Sequence, residues 1–246
     1  MLYIAYLPKP KGELYDDRKI HKILTWYTKL TQDKYSIIAA PGYFSTTDAS
    51  IEDYLFELTR LLTNDGDVAV GNRKIGFLNG MNGHYNTTSG KNSIIAEHNK
   101  HLGGSEFGRI QLMPKKEFDH RKMMCFFCER GTEHPEITLD SLDPFLQTVH
   151  VGAVLIGSSN QSKTSYFEQK ASKGETDVFL VDAEDDLWVQ IALETLHNGE
   201  QGEWPGLLKD DDNIVITKSF SGKGHYDTQE FLKNILRELL TNGLDA

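Results

Sequence analysis

The segment FDHRKMMCFF, residues 118–127, places a histidine and a lysine two positions apart at the start of an apolar run. Alternate side chains of a β-strand share a face, so His120 and Lys122 are expected to point the same way. A strand with a purely structural role would not need two basic side chains at this point.

A second His-x-Lys pair shows how often this spacing arises by chance in a chain with nine histidines. His98 and Lys100 lie in EHNKHL, a pattern typical of a helix, where positions two apart face different directions. The sequence downstream distinguishes His120 from His98. An apolar predicted strand, VGAVLI, ends in GSSN at residues 157–160, and Glu175 precedes the predicted strand TDVFLV.

This order of motifs resembles the phospholipase D superfamily, and its small nuclease and restriction-endonuclease members most closely. The resemblance covers roughly residues 35–182, and its motifs lie in residues 108–182. It implies a metal-independent phosphodiesterase that needs no cofactor and forms a covalent phosphohistidine. DNA is the substrate implied, with RNA as an alternative, in a restriction or antiviral setting.

The resemblance also assigns roles to individual residues. His120 matches the nucleophile that attacks phosphorus. Lys122 and Asn160 match the groups that hold the non-bridging oxygens, with Ser158 as a supporting hydroxyl, because a developing phosphorane needs fixed charge and donors at its equatorial oxygens. Glu175 would hold a histidine through its second ring nitrogen and fix its tautomer.

The family chemistry needs two histidines, one to attack and one to protonate the leaving oxygen. This chain offers one suitable motif, and single-motif members build the site from two subunits. We therefore expect a homodimer in which His120 of each chain converges at a twofold axis. A helicase or defence-system partner is left open.

Composition restricts the classes of function. Lys and Arg total 26 against 36 Asp and Glu, a net charge of −10, so a general nucleic-acid coat protein is excluded and any phosphate recognition must be local. We see no secretory signal, no apolar run long enough to span a bilayer and only two cysteines, which favours a cytoplasmic protein that does not bind membranes.

Three alternatives use overlapping residues. GSSNQSKT nearly fits a phosphate-binding loop with Lys163, and Asp182 could then assist Mg²⁺, but Ser162 stands where that loop normally needs glycine. Cys125 and Cys128 suggest a metal site, although residues three apart on a strand face opposite sides. A nucleic-acid-binding subunit without activity of its own is the non-enzymatic alternative.

The elements that must position these residues alternate between strands and helices. The pattern predicts helices at residues 17–31, 50–62, 92–102, 185–197 and 227–240, and strands within residues 35–44, 67–78, 108–113, 120–127, 149–157, 176–181 and 213–217. Residues 76–90 are predicted as a loop and residues 129–147 as a solvated insertion. We expect one domain over residues 1–246, with a C-terminal extension at 183–246. Its fold class is α/β, a mixed, mostly parallel sheet with helices on both faces.

Overall fold

The computed structural model describes residues 2–12, 19–31, 35–41, 75–78, 112–113, 121–129, 139–159, 174–183, 189–191, 193–194, 215–218 and 227–244. The described strands are β1 (Leu2–Lys9), β2 (Ser36–Pro41), β3 (Ile75–Leu78), β4 (Leu112–Met113), β5 (Lys122–Glu129), β6 (Val149–Gly157), β7 (Glu175–Asp182) and β8 (Val215–Lys218). The described helices with defined bounds are α1 (Lys19–Thr31), α2 (Leu142–Thr148) and α3 (Thr228–Leu244).

The described strands form one sheet in the order β4-β3-β2-β5-β6-β7-β1-β8. The five strands whose side chains are described, β2, β5, β6, β7 and β1, are each antiparallel to the next, and β8 continues this pattern beyond β1. The short β3 and β4 run parallel at the opposite edge. The predicted fold class, a mostly parallel α/β sheet with helices on both faces, is therefore wrong, because periodicity marks an element but carries no information on strand direction.

Helices pack against the two surfaces of this antiparallel sheet. On one surface the ring of Tyr27 in α1 meets Phe126 and Phe179 edge to face, with ring centroids 5.2 and 5.3 Å apart. On the other surface α2 and α3 cover a cluster of buried apolar residues that includes Cys125, Val154 and Leu236. Both surfaces of the central strands are thus removed from water, which accounts for their nearly continuous apolar sequences.

The region predicted as a solvated insertion, residues 129–147, contains part of the core instead. The helix α2 begins at Leu142, and its side chains Leu142, Phe145 and Leu146 are buried. Phe145 packs edge to face on Phe127 at 6.1 Å. A short helix with three apolar residues on one face does not stand out in a sequence rich in acids and prolines.

Other predicted elements fit with local differences. The first helix and the strands β2, β5, β6 and β7 lie where the pattern predicts them. The strand β1 was not predicted. The strand β3 lies at the end of the strand predicted within residues 67–78, so the loop predicted at 76–90 does not begin at residue 76. The predicted strands at residues 108–113 and 120–127 contain β4 and β5, which are not adjacent in the sheet because β3 and β2 lie between them. The predicted helices at 50–62 and 92–102 lie outside the described residues.

A bulge interrupts β6 beneath α1. The pairing with β5 moves from Phe126↔Ala153 to Phe127↔Val151, so Gly152 is an extra residue in β6.

Beyond the last residue pair of β6 and β7, the side-chain amide of Gln229 makes the backbone hydrogen bonds that a neighbouring strand would make. It accepts a hydrogen bond from the Val151 amide at 3.0 Å and donates to the Val151 carbonyl at 2.9 Å.

Candidate functional site

Three strand ends that carry the sequence motifs meet at one edge of the sheet. The strand β5 begins at Lys122, β6 ends at Gly157 and β7 begins at Glu175. The register pairs Met123 with Ile156 and Gly157 with Asp177, so these ends are adjacent. Antiparallel pairing causes this convergence, because parallel strands would place the start of one beside the start of the next.

Lys122 lies at this edge and is partly exposed. Its neighbour Met123 packs toward the cluster under α2 and α3, so strand alternation directs Lys122 to the opposite surface of the sheet. By the same alternation and register, Gly157 and Asp177 lie on that surface too. Partial burial lowers the pKa of the Lys122 ammonium group below its usual value.

Glu175 forms an ion pair with Lys9, the residue opposite it on β1. The side chains are 6% exposed for Lys9 and 12% exposed for Glu175, so this pair is shielded from solvent screening. The family resemblance implies a histidine as the partner of Glu175. In the structure Glu175 pairs with Lys9, which lies in a strand that the sequence pattern does not predict.

Asp177 is buried beside the end of β6, with 3% of its surface exposed. Its carboxylate accepts hydrogen bonds from the Ser159 amide at 3.2 Å and from the Ser159 hydroxyl at 2.5 Å. Burial raises the pKa of the Asp177 carboxyl above its ordinary value, against the opposing effects of the Ser159 hydrogen bonds and the Lys9 charge. The carboxylate leans over Gly157, where any Cβ would overlap its Oδ1 atom.

Ser158 has a different environment from the one predicted for a phosphate-binding hydroxyl. Its amide donates to the Thr176 carbonyl at 2.9 Å. Its hydroxyl accepts a hydrogen bond from the Thr176 amide at 2.8 Å and donates to the Thr176 carbonyl at 3.2 Å. These bonds extend the β6–β7 pairing by one residue. The Ser158 hydroxyl is therefore hydrogen-bonded to the backbone of β7 in this structure.

His120 and Asn160, the predicted nucleophile and the predicted amide ligand, lie outside the described residues. Their chain neighbours Arg121 and Ser159 are described. Both lie next to the convergent edge, the edge where β5 begins at Lys122, β6 ends at Gly157 and β7 begins at Glu175. Arg121 is directed away from it, since its guanidinium lies 3.7 Å from the Glu238 carboxylate of α3. The basic residues near the motif therefore do not all face one surface.

Sequence reasoning missed three polar residues of this edge: Lys9, Ser159 and Asp177. A signal existed for Asp177, because it lies two residues after Glu175 in a predicted strand and so shares its face. Ser159 lies within the GSSN motif, but the sequence assigns it no role. The role of Lys9 could not be predicted from the sequence, since Lys9 pairs with Glu175 of a strand nearly 170 residues away in the chain.

The described residues do not support the two alternatives of a phosphate-binding loop and a cysteine metal site. Asp182, the proposed Mg²⁺ ligand of a phosphate-binding loop, lies five residues beyond Asp177 along β7, about 17 Å away at roughly 3.4 Å per residue. It accepts a hydrogen bond from Gln229 at 2.6 Å. Cys125 is fully buried in the core, and burial raises the pKa of its thiol.

Within the described ranges, no group of three or more His, Cys, Asp and Glu side chains is placed to hold a metal ion. None of the helices in the described part of the chain has both the length and the apolar character that crossing a bilayer requires. No protein-family model matches this chain, and no curated protein matches it. The function is therefore inferred from the residues of the site alone.

Proposed function

We propose that this chain is a metal-independent phosphodiesterase of the phospholipase D type, a nuclease that cleaves DNA through a covalent phosphohistidine at His120. The observation that supports this proposal is the convergence of three motif-bearing strand ends. Lys122, Gly157 and Glu175 lie at least 18 positions apart in the chain but belong to adjacent strands whose ends meet at the same edge. The ends meet because β5, β6 and β7 are antiparallel neighbours, and this gives the three motifs a common location.

The chemistry assigned to the edge is a two-step displacement. The imidazole of His120 attacks phosphorus, the bond to the leaving oxygen breaks, and the second histidine of the dimer gives that oxygen a proton. Water then attacks the phosphohistidine, and the nucleophile is regenerated. Lys122 and Asn160 stabilise the charge on the equatorial oxygens during both steps.

The position of Lys122 suits this role. Its ammonium group is partly desolvated, which lowers its pKa and strengthens its attraction to an anion in the same environment. The neighbouring strand places Gly157, which has no side chain, in register with Asp177, and the Asp177 carboxylate occupies the space above Gly157.

Nicking of supercoiled plasmid in excess EDTA tests the proposal. The wild-type chain should nick DNA under these conditions, and His120→Ala should abolish the activity. His98→Ala is the matched control, since it removes the histidine of the other His-x-Lys pair and should retain nicking. Incubation with DNA followed by detection of an acid-labile phosphoramidate that links His120 to a DNA end identifies the nucleophile directly.

The twofold site makes a separate prediction about subunit mixing. If each site needs His120 from two chains, wild-type protein allowed to exchange subunits with an excess of His120→Ala protein should lose nearly all of its nicking activity. Activity that falls only in proportion to dilution would contradict the shared site. DNA binding without cleavage by the wild-type chain would contradict the nuclease and favour a binding subunit.

A further inference from the structure

The strand β5 carries a cysteine near the end that lies away from the convergent edge. Cys128 is partly exposed, and it stands directly opposite His150 of β6 in the strand register. Directly opposed residues share one face of a sheet, with their Cβ atoms roughly 4.5–5.5 Å apart. A thiol and an imidazole placed in this way can meet across the two strands, and a neighbouring histidine is what activates a cysteine as a nucleophile.

Contacts of the neighbouring residues show which face of the sheet the two side chains occupy. Val151, the next residue of β6, belongs to the apolar cluster beneath α2 and α3, so strand alternation directs His150 and Cys128 to the surface that α1 covers. The ring of His150 agrees with this placement, since its centroid lies 6.3 Å from that of Tyr35. Tyr35 in turn lies 5.9 Å from Tyr27 of α1.

Cys128 lies between two buried rings. Ser36 pairs with Phe127 on the β2 side of β5, so the preceding residue, Tyr35, stands beside Cys128 there, while His150 stands beside it on the β6 side. Tyr35 is 4% exposed and His150 is 3% exposed. The imidazole is therefore held in place by packing, whereas a small reagent can approach the partly exposed cysteine.

Cys125, the other cysteine of the chain, has the opposite surroundings. It faces the apolar cluster beneath α2 and α3, is fully buried, and stands opposite Val154 rather than a histidine. Burial raises the pKa of its thiol, which disfavours the reactive thiolate. Three positions along a strand separate Cα atoms by roughly 10 Å, too far for a disulfide between the two cysteines.

We propose that Cys128 is an oxidation site, at which the imidazole of His150 activates the thiol toward hydroperoxides. The imidazole takes the thiol proton, and the sulfur attacks the terminal hydroxyl oxygen of the peroxide. The S–O bond forms as the O–O bond breaks, so the sulfur is oxidised to sulfenic acid. The leaving oxygen takes the proton from the imidazole, and the peroxide is reduced to water or an alcohol. This inference does not rest on the proposed nuclease activity, because Cys128 lies six positions beyond Lys122, about 20 Å along β5 at roughly 3.4 Å per residue.

Trapping of the sulfenic acid tests the oxidation. The folded wild-type chain is treated with hydrogen peroxide in the presence of dimedone, which captures sulfenic acids, and the adducts are located by mass spectrometry. The adduct should form at Cys128 and not at Cys125, whereas iodoacetamide should label both cysteines in urea. Failure of Cys128 to form the adduct, or equal adducts at the two cysteines of the folded chain, would overturn the proposal.

The pH dependence of alkylation distinguishes activation by His150 from exposure alone. Of the described side chains packed on this face, Tyr35 and Tyr27 are uncharged near pH 7, so His150 is the group that can take the proton. The rate of iodoacetamide labelling at Cys128 follows the thiolate, and its half-maximal value should lie below the ordinary thiol value of about pH 8.5.

His150→Gln removes the proton acceptor and keeps a polar side chain. It should move the half-maximal rate to about pH 8.5 or above and lower the rate at pH 7 by roughly 10-fold or more, since each unit of pKa changes the thiolate fraction about tenfold. Tyr35→Phe is the matched control, because it keeps the ring beside Cys128 and should retain the wild-type profile. Coincident profiles for the wild type and His150→Gln would overturn the role of His150. A wild-type half-maximal rate at or above about pH 8.5 would overturn it even if His150→Gln failed to fold.

Discussion

Replacing Gly157 with alanine tests the close contact between β6 and the Asp177 carboxylate. The added Cβ would overlap Oδ1 of Asp177 and would lie 2.6 Å from both its Cγ and the Thr176 carbonyl oxygen. The carbonyl belongs to the backbone of β7 and cannot yield without disturbing the strand pairing. The carboxylate must therefore turn away, and its hydrogen bonds to Ser159 must break.

The expected loss of stability follows from those bonds. Hydrogen bonds to a charged group contribute roughly 1.5–3 kcal/mol each, and two are at risk, although the carboxylate can recover part of the energy by meeting water. We expect the free energy of unfolding to fall by roughly 2–4 kcal/mol. For a chain of this size each kcal/mol lowers Tm by roughly 2–4 °C, so the Tm should fall by roughly 4–16 °C.

The assay is urea denaturation followed by circular dichroism, with calorimetry for the Tm. Gly174→Ala is the matched control, because a Cβ at that position meets its nearest atoms at 3.7 and 3.8 Å, which is ordinary contact. It should leave the Tm unchanged or raise it slightly through the unfolded chain. Equal effects of the two alanine variants would refute the reasoning, and with it the placement of the Asp177 carboxylate over Gly157.

Three further predictions concern the core and the buried carboxylate. Gly152→Ala should destabilise the fold by roughly 1–3 kcal/mol in urea titrations, since its Cβ would overlap the Tyr27 hydroxyl within a packed core; a neutral effect would contradict the bulge geometry. Gln229→Ala should cost roughly 1–3 kcal/mol in the same assay, because the Val151 amide and carbonyl lose their partners; no loss would mean that water replaces the amide. The raised pKa of Asp177 favours its neutral form in the folded state, so its contribution to stability is fully present below the unfolded pKa and is lost as pH rises through the folded pKa. The wild type should therefore gain stability relative to Asp177→Asn as pH is lowered from 7 toward the ordinary aspartate value, and parallel stability curves would contradict this.

Several elements were predictable because their pattern is local. The amphipathic periodicity of α1 and α3 and the apolar runs of β5, β6 and β7 predict these elements within a few residues. The motif order predicts that Lys122 and Glu175 belong to one phosphate-binding site, and this stays a prediction, since the ion pair of Glu175 in the structure is with Lys9. The helix α2 escaped prediction because its seven residues are too few to establish a period among acids and prolines.

The sequence by itself determined which residue types are available for chemistry and which segments form the strands β2, β5, β6 and β7, but it did not reveal β1. It did not determine strand direction, because the side-chain alternation of a strand is the same whichever way its neighbour runs. The antiparallel order of β5, β6, β7 and β1 brings Lys122, Gly157, Asp177 and Lys9 to one edge. Tertiary structure alone decided that Glu175 pairs with Lys9 and that Asp177 holds Ser159, since these contacts join side chains whose distance in space bears no relation to their distance in the chain.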